Sequence, residues 1–583
     1  MSKEMIKKLS SILDRQQKIS IAGLMVLILI GGLLETVGVS LILPLLSAIL
    51  DEESFAANQA VIFFMDLFGF EETRSFIYLL LFALIFMYVF KGVYLIGLTY
   101  IQSRFINRNR CRCTTNLLSQ YLHRPYEYYL YAETSTILQT IYGDMDNIFN
   151  LLMQCMNLVA EVVVSVCLGV FLLVMDFKMM LVVVGLLLVV TIFISKVIKP
   201  VLSRVGEESR EHQTSLYKWI LQSLAGIKDV KVHDKEDYFI EKYRGSSYQY
   251  ANCQVKNNVL SNLPRLLIET VAIIGILLYV AGSMAAGVEL AALLPLISAF
   301  ALAAMRLLPS VNRVNTYMAN IAYYEYALNY IYENVDTDAL SKQEELDAYR
   351  LANPNTLEIE LKSEIALKDI TFAYPNTDKK IFDHADMIIP VGKSVGVVGA
   401  SGAGKTTIVD VLLGLLELQG GTITSDGTNI FDNYGAWLSH IGYIPQTIYM
   451  LDDSIRNNIA FGVKEEDIDD VRVWEVLEQA QMKEFVEGLP DKLDAQIGER
   501  GVRISGGQRQ RLGIARALYH DPELLVFDEA TSALDNDTET AIMEAIDMLH
   551  GQKTMVIIAH RLRTIENCDL IYEVKDGKIT LQS

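Results

Sequence analysis

Residues 395–407 read VGVVGASGAGKTT. The apolar run from Ser394 to Val398 has the length and β-branched content of a buried strand. The pattern GxxxxGK[ST] follows it, and TTIVDVLLGLL (406–416) supplies the helix behind the loop. Gly399, Gly402 and Gly404 let the backbone curl so that its N–H groups surround a phosphate, with the positive end of the helix beneath. Lys405 is placed to reach the β- and γ-phosphates and the Thr406 hydroxyl to ligate Mg²⁺. Ser401 and Thr407 complete the expected nucleotide contacts. The chain should therefore contain an α/β nucleotide-binding domain with a parallel sheet.

A second apolar strand, ELLVFDEA (523–530), ends in two carboxylates. Asp528 is placed to hold Mg²⁺ through water and Glu529 to polarise an attacking water. Such a pair is weak alone, because acids often end strands. About 120 residues after a phosphate loop it gains meaning. Runs such as KEEDIDD (464–470) read as solvated surface.

Upstream the composition changes. Hydrophobic residues make up 51% of the 583-residue chain, and the mean hydropathy is +0.28. The excess lies in six long apolar runs, 19–50, 76–100, 148–175, 178–198, 266–284 and 290–308, most at or near spanning length. No such run follows residue 335. Domains are expected at 1–18 (an amphipathic elbow helix), 19–335 (six transmembrane helices with cytoplasmic extensions), 336–355 (a linker) and 356–583 (the nucleotide-binding domain). The first run is too long for a signal peptide.

Lys and Arg near the span ends set the orientation. Lys3, Lys7, Lys8, Arg15 and Lys18 place the N-terminus inside, and Arg104, Arg108, Arg110 and Arg112 place the stretch after the second run inside. Both termini and the nucleotide-binding domain are then cytoplasmic. Two gaps, about 101–147 and 199–265, are mostly free of helix breakers. Each reads as two long helices joined by a turn, near HRPYEYYLYAETST (123–136) and GIKDVKVHDKEDYF (226–239). Both turns are expected to contact the soluble half. NQAVIFFMDLFGF (58–70) is too short to span. It reads either as a helix in the membrane interface or as an apolar loop packed on helix ends.

The net charge of −20 falls mostly in the soluble half, which argues against nucleic acid as a partner. The six cysteines form no metal-like cluster beyond Cys111-x-Cys113 and read as reduced thiols.

RISGGQRQRLGIARAL (503–518) resembles the signature of ATP-binding-cassette (ABC) ATPases, with Ile504 where leucine is more usual. SALD (532–535), IIAHRL (557–562), GYIPQT (442–447) and FAYP (372–375) resemble further motifs of that family, in the family's order, and IGERG (497–501) resembles a loop of its exporter branch. With six spans upstream, the chain resembles an ABC exporter half-transporter. The resemblance implies the following roles. ATP and Mg²⁺ are the cofactors. Tyr374 stacks on adenine, Gln446 serves the metal and the attacking water, and His560 is the switch histidine. Asp535 lies in the loop after the acidic strand. Ser505, Gly506, Gly507 and Gln508 close over the γ-phosphate of a nucleotide held by a second copy. Intact Glu529 and His560 favour a homodimer with two working sites, although an intact subunit can also pair with a different one.

The stretch AFALAAMRLLPSVNRV (299–314) carries Arg306 and Arg313. By counting residues, Arg306, Arg265 and Lys91 fall at nearly one depth in the inner half of the bilayer. An intramembrane cation needs a partner, a cavity or a cargo. Glu35, Glu161 and Glu269 are the available acids, and Glu269 stands one turn from Arg265. Pairing with these acids or snorkelling is one reading. A cavity that grips an anion with the arginine fork is the other. Arg313 is expected to face the cytoplasmic entrance or the inner headgroups.

The stretches ETVGVSLILPLL (35–46), NLPRLLIET (262–270) and RLLPSVNR (306–313) resemble bacterial ABC flippases for lipid-linked oligosaccharides. This implies an ATP-driven exporter in the cytoplasmic (inner) membrane that flips a polyprenyl-pyrophosphate oligosaccharide. Its partners would be a second half-transporter, a lipid or lipid-linked anionic substrate and the bilayer. Export of lipids, drugs or peptides is the alternative. An ATPase-gated channel fits the intact catalytic residues less well, and six spans exclude a soluble cassette ATPase.

Overall fold

A computed structural model describes residues 3–50, 59–70, 73–175, 192–285, 290–336, 359–375, 377–498, 501–529, 536–558 and 565–582. Contacts divide the chain into two units. The first comprises 1–124 and 131–352, and the second 125–130 and 353–583.

The first unit is helical. Asp14 and Gln17 exchange backbone-to-side-chain hydrogen bonds of 2.6 and 2.8 Å, a reciprocal cap that starts the helix Arg15–Leu50. The elbow helix Lys3–Ile12 therefore ends before this cap, short of residue 18. It buries Met5, Leu9 and Ile12, and Lys8 Nζ donates to Asn329 Oδ1 at 2.9 Å. The helix Gln59–Phe68 packs Val61 and Met65 on Phe76. The outer segment is thus a helix that also covers a neighbouring helix end.

Helices Thr73–Leu122, Glu236–Ala285 and Leu290–Asn334 are 50, 50 and 45 residues long. They far exceed the ~20 residues a bilayer requires. Side chains such as Phe82 and Phe86 stand exposed on the first of them, as a lipid-facing surface would. Among the described residues three helices are long and apolar enough to cross a membrane, within Arg15–Leu34, Thr73–Leu122 and Thr134–Val166. The other three runs include residues or side chains outside those described.

The two inner turns are short helices. Pro125 cannot continue the helix Thr73–Leu122, and Tyr126–Tyr131 follows it. Gly226 precedes Ile227–Val232, and Glu236 and Asp237 open the next long helix, where the N-terminal dipole favours acids.

After Thr134–Leu138 the backbone widens into a π turn, Gln139–Asp144, before Met145–Met175. Asp144 is fully buried. Arg210, on the helix Lys199–Ala225, donates Nε to its two carboxylate oxygens at 3.1 and 3.0 Å. The same guanidinium lies 3.4 Å from the ring centroid of Tyr330. Three helices are thereby pinned together. At Gly206 a Cβ would stand 2.3 Å from the Tyr323 carbonyl oxygen, so the two backbones meet only because this residue is glycine.

In the second unit, strands β1 (Glu364–Ala373), β2 (Lys380–Pro390), β4 (Gly420–Ser425) and β5 (Thr428–Asn429) form an antiparallel sheet in the order β2-β1-β4-β5. Strands β3 (Ser394–Val398), β6 (Ile441–Ile444), β7 (Leu524–Asp528), β8 (Thr554–Ile558), β9 (Leu570–Lys575) and β10 (Lys578–Leu581) form the other, in the order β10-β9-β3-β8-β7-β6. Every residue of β7 and β8 is buried, as continuous apolar runs in a covered parallel sheet require. One core joins the two sheets around Trp437, Phe372 and Phe382. A second lies under the helices between 455 and 518.

Candidate functional site

The phosphate loop takes its shape from backbone angles that only glycine adopts freely. φ is +155° at Gly399, +78° at Gly402 and +105° at Gly404. A Cβ at Gly399 would meet the Val574 carbonyl oxygen at 2.5 Å. Substitution there would push the loop off β9 rather than merely strain it. The helix Lys405–Leu412 starts at the loop. Lys405 is buried, and its ammonium donates to the carbonyls of Gly399 and Ala400 at 3.0 and 3.1 Å. The cation is thus held inside the cradle. Ser401, Gly402 and Thr406 are exposed on the loop. Thr407 turns inward, and its hydroxyl meets the Tyr374 hydroxyl at 3.1 Å. That bond ties the expected adenine platform to the phosphate helix.

Asp528 ends β7 and is 3% exposed. Glu529 follows at φ +51°, a left-handed conformation that costs a carboxylate side chain on the order of 1 kcal/mol. Its N–H donates to the Ile558 carbonyl at 3.1 Å, and Gln446 Nε2 donates to its Oε2 at 2.6 Å. Two residues 83 apart in sequence therefore share one hydrogen bond at the end of the central strands. Thr406, Asp528 and Gln446 carry the hard oxygen donors that Mg²⁺ takes.

Ser505 caps the helix Gly506–Leu518. Its Oγ accepts from Gln508 N at 3.2 Å, and Gln508 Oε1 accepts from Ser505 N at 2.8 Å. Ser505 and Gly506 are exposed, while Gly507 is buried. The helix packs in the second core, whereas the phosphate loop leans on the first. The positive end of this helix lies at the exposed Ser505 and Gly506. Asp535 and His560 lie outside the described residues.

One cluster escaped the sequence reading. Asp410 stands on the phosphate helix, and burial pushes its carboxyl up to about 6. It faces Tyr126, whose hydroxyl is pushed up by burial and then by Asp410 and Tyr374. Tyr443 is pushed up by burial, Asp528 and Asp410. The neighbouring Glu127 accepts from Glu417 N at 3.0 Å. Residues 125–130 thus pack with the soluble unit, against the back of the nucleotide site. The available signal was a lone acid in the apolar run TTIVDVLLGLL.

A carboxyl with a raised pKa is protonated at pH 5 and ionised at pH 8. The folded state holds that proton more tightly than the unfolded chain, so Asp410 costs stability as pH rises from 3.8, the ordinary carboxyl value, through about 6. Asp410→Asn should raise thermal stability only partly at pH 5, where the unfolded carboxyl is already ionised and the folded one still holds its proton. At pH 8 it should raise it by roughly 1 kcal/mol, after allowing for solvent screening. Thermal melts at the two pH values check this, and equal shifts would contradict it.

The membrane cations are arranged differently from one another. Arg265 Nε pairs with Glu269 Oε1 at 3.0 Å, and the arginine side chain is 62% exposed. Lys91 Nζ lies 5.4 Å from the Tyr88 ring centroid. The Arg306 and Glu35 side chains lie outside the described residues. Arg313, expected to face the entrance or the headgroups, is held by an acid. Its Nε stands 2.9 Å from Glu161 Oε2, and Ser310 Oγ also bonds that carboxylate. A buried acid needs such partners, and the Arg313 side chain, 40% exposed, supplies one of them.

Comparison with known proteins places this geometry. The model of the family described as "ABC transporter transmembrane region" matches residues 21–308, and that of "ABC transporter" matches 382–532. An ATP-dependent lipid A-core flippase of Ralstonia nicotianae is 27% identical over 499 residues, 84% of this chain and 82% of the relative. A namesake in Desulfotalea psychrophila is 31% identical over 393 residues, 66% and 64% of the two chains. Another, in Saccharophagus degradans, is 42% identical over 232 residues, 39% of each. Among solved structures, a bacterial Atm1-family ABC exporter with ATP bound shares the fold. Its TM-score is 0.69 at 22% identity, over 97% of this chain and 95% of that one.

Proposed function

This chain belongs to the ABC transporters, as an ATP-driven exporter with one membrane region fused to one ATPase domain, and we propose that it flips a lipid-linked anionic glycan across the cytoplasmic membrane as a homodimer. The favoured cargo is a polyprenyl-pyrophosphate oligosaccharide. Relatives named for flipping lipid A-core support a lipid-borne cargo.

In this reading each nucleotide is shared. Gly399, Gly402, Gly404, Lys405 and Thr406 of one copy cradle its phosphates, and Tyr374 stacks on the base. Ser505, Gly506, Gly507 and Gln508 of the second copy close over the γ-phosphate. The capped Ser505 Oγ accepts from Gln508 N and keeps its own proton to donate outward. Mg²⁺, held by Thr406, Gln446 and Asp528, would neutralise charge on the β- and γ-phosphates. Glu529, oriented by Gln446, takes a proton from the attacking water, with His560 and Asp535 completing the site. Tyr126 lies against Asp410 of the phosphate helix.

The observation that carries the cargo is Arg265. Glu269 engages its Nε, which leaves the two terminal nitrogens of an exposed fork for a bidentate anion. Lys91 and Arg306 are proposed to share the task.

Arg265→Ala should hydrolyse ATP in proteoliposomes at close to the wild-type basal rate. It should flip labelled polyprenyl-pyrophosphate oligosaccharide at least about tenfold more slowly, the loss expected of a charge-assisted bidentate contact. Unchanged flipping would remove the arginine from the cargo path. ATP hydrolysis without glycan movement by the wild type would favour export of another lipid, a drug or a peptide.

A further inference from the structure

The helical unit carries an open cavity of about 740 Å³, large enough for a short oligosaccharide. Its walls come from five stretches, near Asn107–Leu118, Ile141–Asn150, Ser209–Tyr217, Tyr250–Gln254 and Tyr323–Tyr326. The long helix Glu236–Ala285 carries both this cavity and Arg265. Gln254 lies 11 residues inward of Arg265, or about 16 Å along the helix. A polar chamber therefore stands beyond the anion-gripping arginine, on its cytoplasmic side.

The lining chemistry is specific. Tyrosines 142, 217 and 250 are exposed or half-buried in the cavity. Amides and hydroxyls, among them Asn107, Gln213 and Thr114, line it as well. The charged pair in the wall, Arg110 and Asp146, is bonded to itself, so the chamber presents little net charge. Such a surface suits neither a free anion nor a cationic drug. Aromatic faces together with amides suit a neutral, polyhydroxylated ligand. Apolar C–H faces of sugar rings stack on tyrosine, and sugar hydroxyls bond the amides.

The walls are also held in place, as a binding site requires. Gln254 Nε2 donates to the Tyr323 hydroxyl at 3.1 Å, and that hydroxyl donates to Ser209 Oγ at 2.9 Å. Asn147 Nδ2 donates to the Tyr326 hydroxyl at 2.7 Å. The π turn Gln139–Asp144 supplies Ile141, Tyr142 and Gly143 to the lining. Its extra backbone width leaves Tyr142 67% exposed, while Asp144, two residues on, is locked by Arg210. Such π turns are costly to form and recur at functional sites.

We propose that this chamber is a carbohydrate subsite that takes the saccharide portion of the cargo while Arg265 holds its phosphate. The proposal rests on the glycolipid-flippase reading for its physiological ligand, but sugar binding can be measured separately.

The test uses the full-length protein in nanodiscs with three probes: bare polyprenyl pyrophosphate, the same carrier bearing an oligosaccharide, and the free oligosaccharide. The variants are Tyr142→Ala/Tyr250→Ala and, as the conservative pair, Tyr142→Phe/Tyr250→Phe. Wild-type protein should bind the glycan-bearing carrier about tenfold more tightly than the bare one, as about 1.4 kcal/mol from stacking allows. The alanine pair should lose that advantage and bind the bare carrier as the wild type does. The phenylalanine pair, which keeps the rings, should retain most of it. Free oligosaccharide should bind the wild type at millimolar concentration and bind the alanine pair at least tenfold more weakly.

If the alanine pair keeps the full preference, or the wild type prefers the bare carrier, the subsite is overturned. If neither carrier binds but free oligosaccharide does, in a tyrosine-dependent way, the chamber stands and the flippase reading fails. If no probe binds, both fail.

Discussion

Purified Glu529→Gln protein should bind ATP as well as the wild type and hydrolyse it at roughly one hundredth to one ten-thousandth of the wild-type rate, the usual loss when a general base is removed. The geometry makes this substitution clean. Glu529 sits at φ +51°, and the amide that replaces its carboxylate has the same backbone demands. The acceptor oxygen that receives Gln446 Nε2 at 2.6 Å also survives the change. Shape and hydrogen bonding stay, and only the basic oxygen is lost. Phosphate release and retention of a fluorescent ATP analogue read the two effects separately. Turnover near the wild-type rate would assign the base to another group. Weak ATP retention would show that the carboxylate supports the site's structure instead.

Asp144→Ala should destabilise the helical unit by about 3–5 kcal/mol, the cost of leaving a buried charge without its partner. Asp144 is fully buried, and Arg210, with 15% side-chain exposure, donates to both carboxylate oxygens. Gln139 Nε2 also reaches Asp144, at 3.4 Å. The alanine variant strands a guanidinium among three helices. Asp144→Leu combined with Arg210→Leu should recover most of the stability, because two apolar side chains need no counter-charge. Thermal inactivation of detergent-solubilised protein, compared across the single and double variants, gives the coupling. A loss below about 1 kcal/mol for Asp144→Ala would mean that the pair is not what pins the π turn.

Local chemistry was legible wherever one short segment carries it. Gly399, Gly404 and Lys405 follow each other within seven residues, and their roles depend on backbone angles set by residue type. The ends of the long helices were legible as well, since Pro125 and Gly226 act on their own neighbours. The pairing of Arg265 with Glu269 needed only the one-turn spacing of a helix. Arg313 shows where such reading stops. Glu161, one of three acids available to the membrane cations, is its partner from 152 residues away, and nothing in AFALAAMRLLPSVNRV selects it. The Asp410 cluster failed for the same reason, because Tyr126, Tyr374 and Tyr443 come from three separate segments.

The sequence by itself determined a membrane half of long helices and a parallel α/β half with a phosphate loop, and it named candidate residues for a nucleotide site. Those features follow from periodicity, turn chemistry and hydropathy, which act over a few residues. Only the tertiary structure decided which charges neutralise each other and where a polar chamber opens. It joined Glu161 to Arg313 and Asp144 to Arg210, and set Tyr142 on a π turn that no residue pattern announces. A buried charge takes whichever opposite charge the packed helices bring within hydrogen-bond reach, and that choice exists only once the helices have packed.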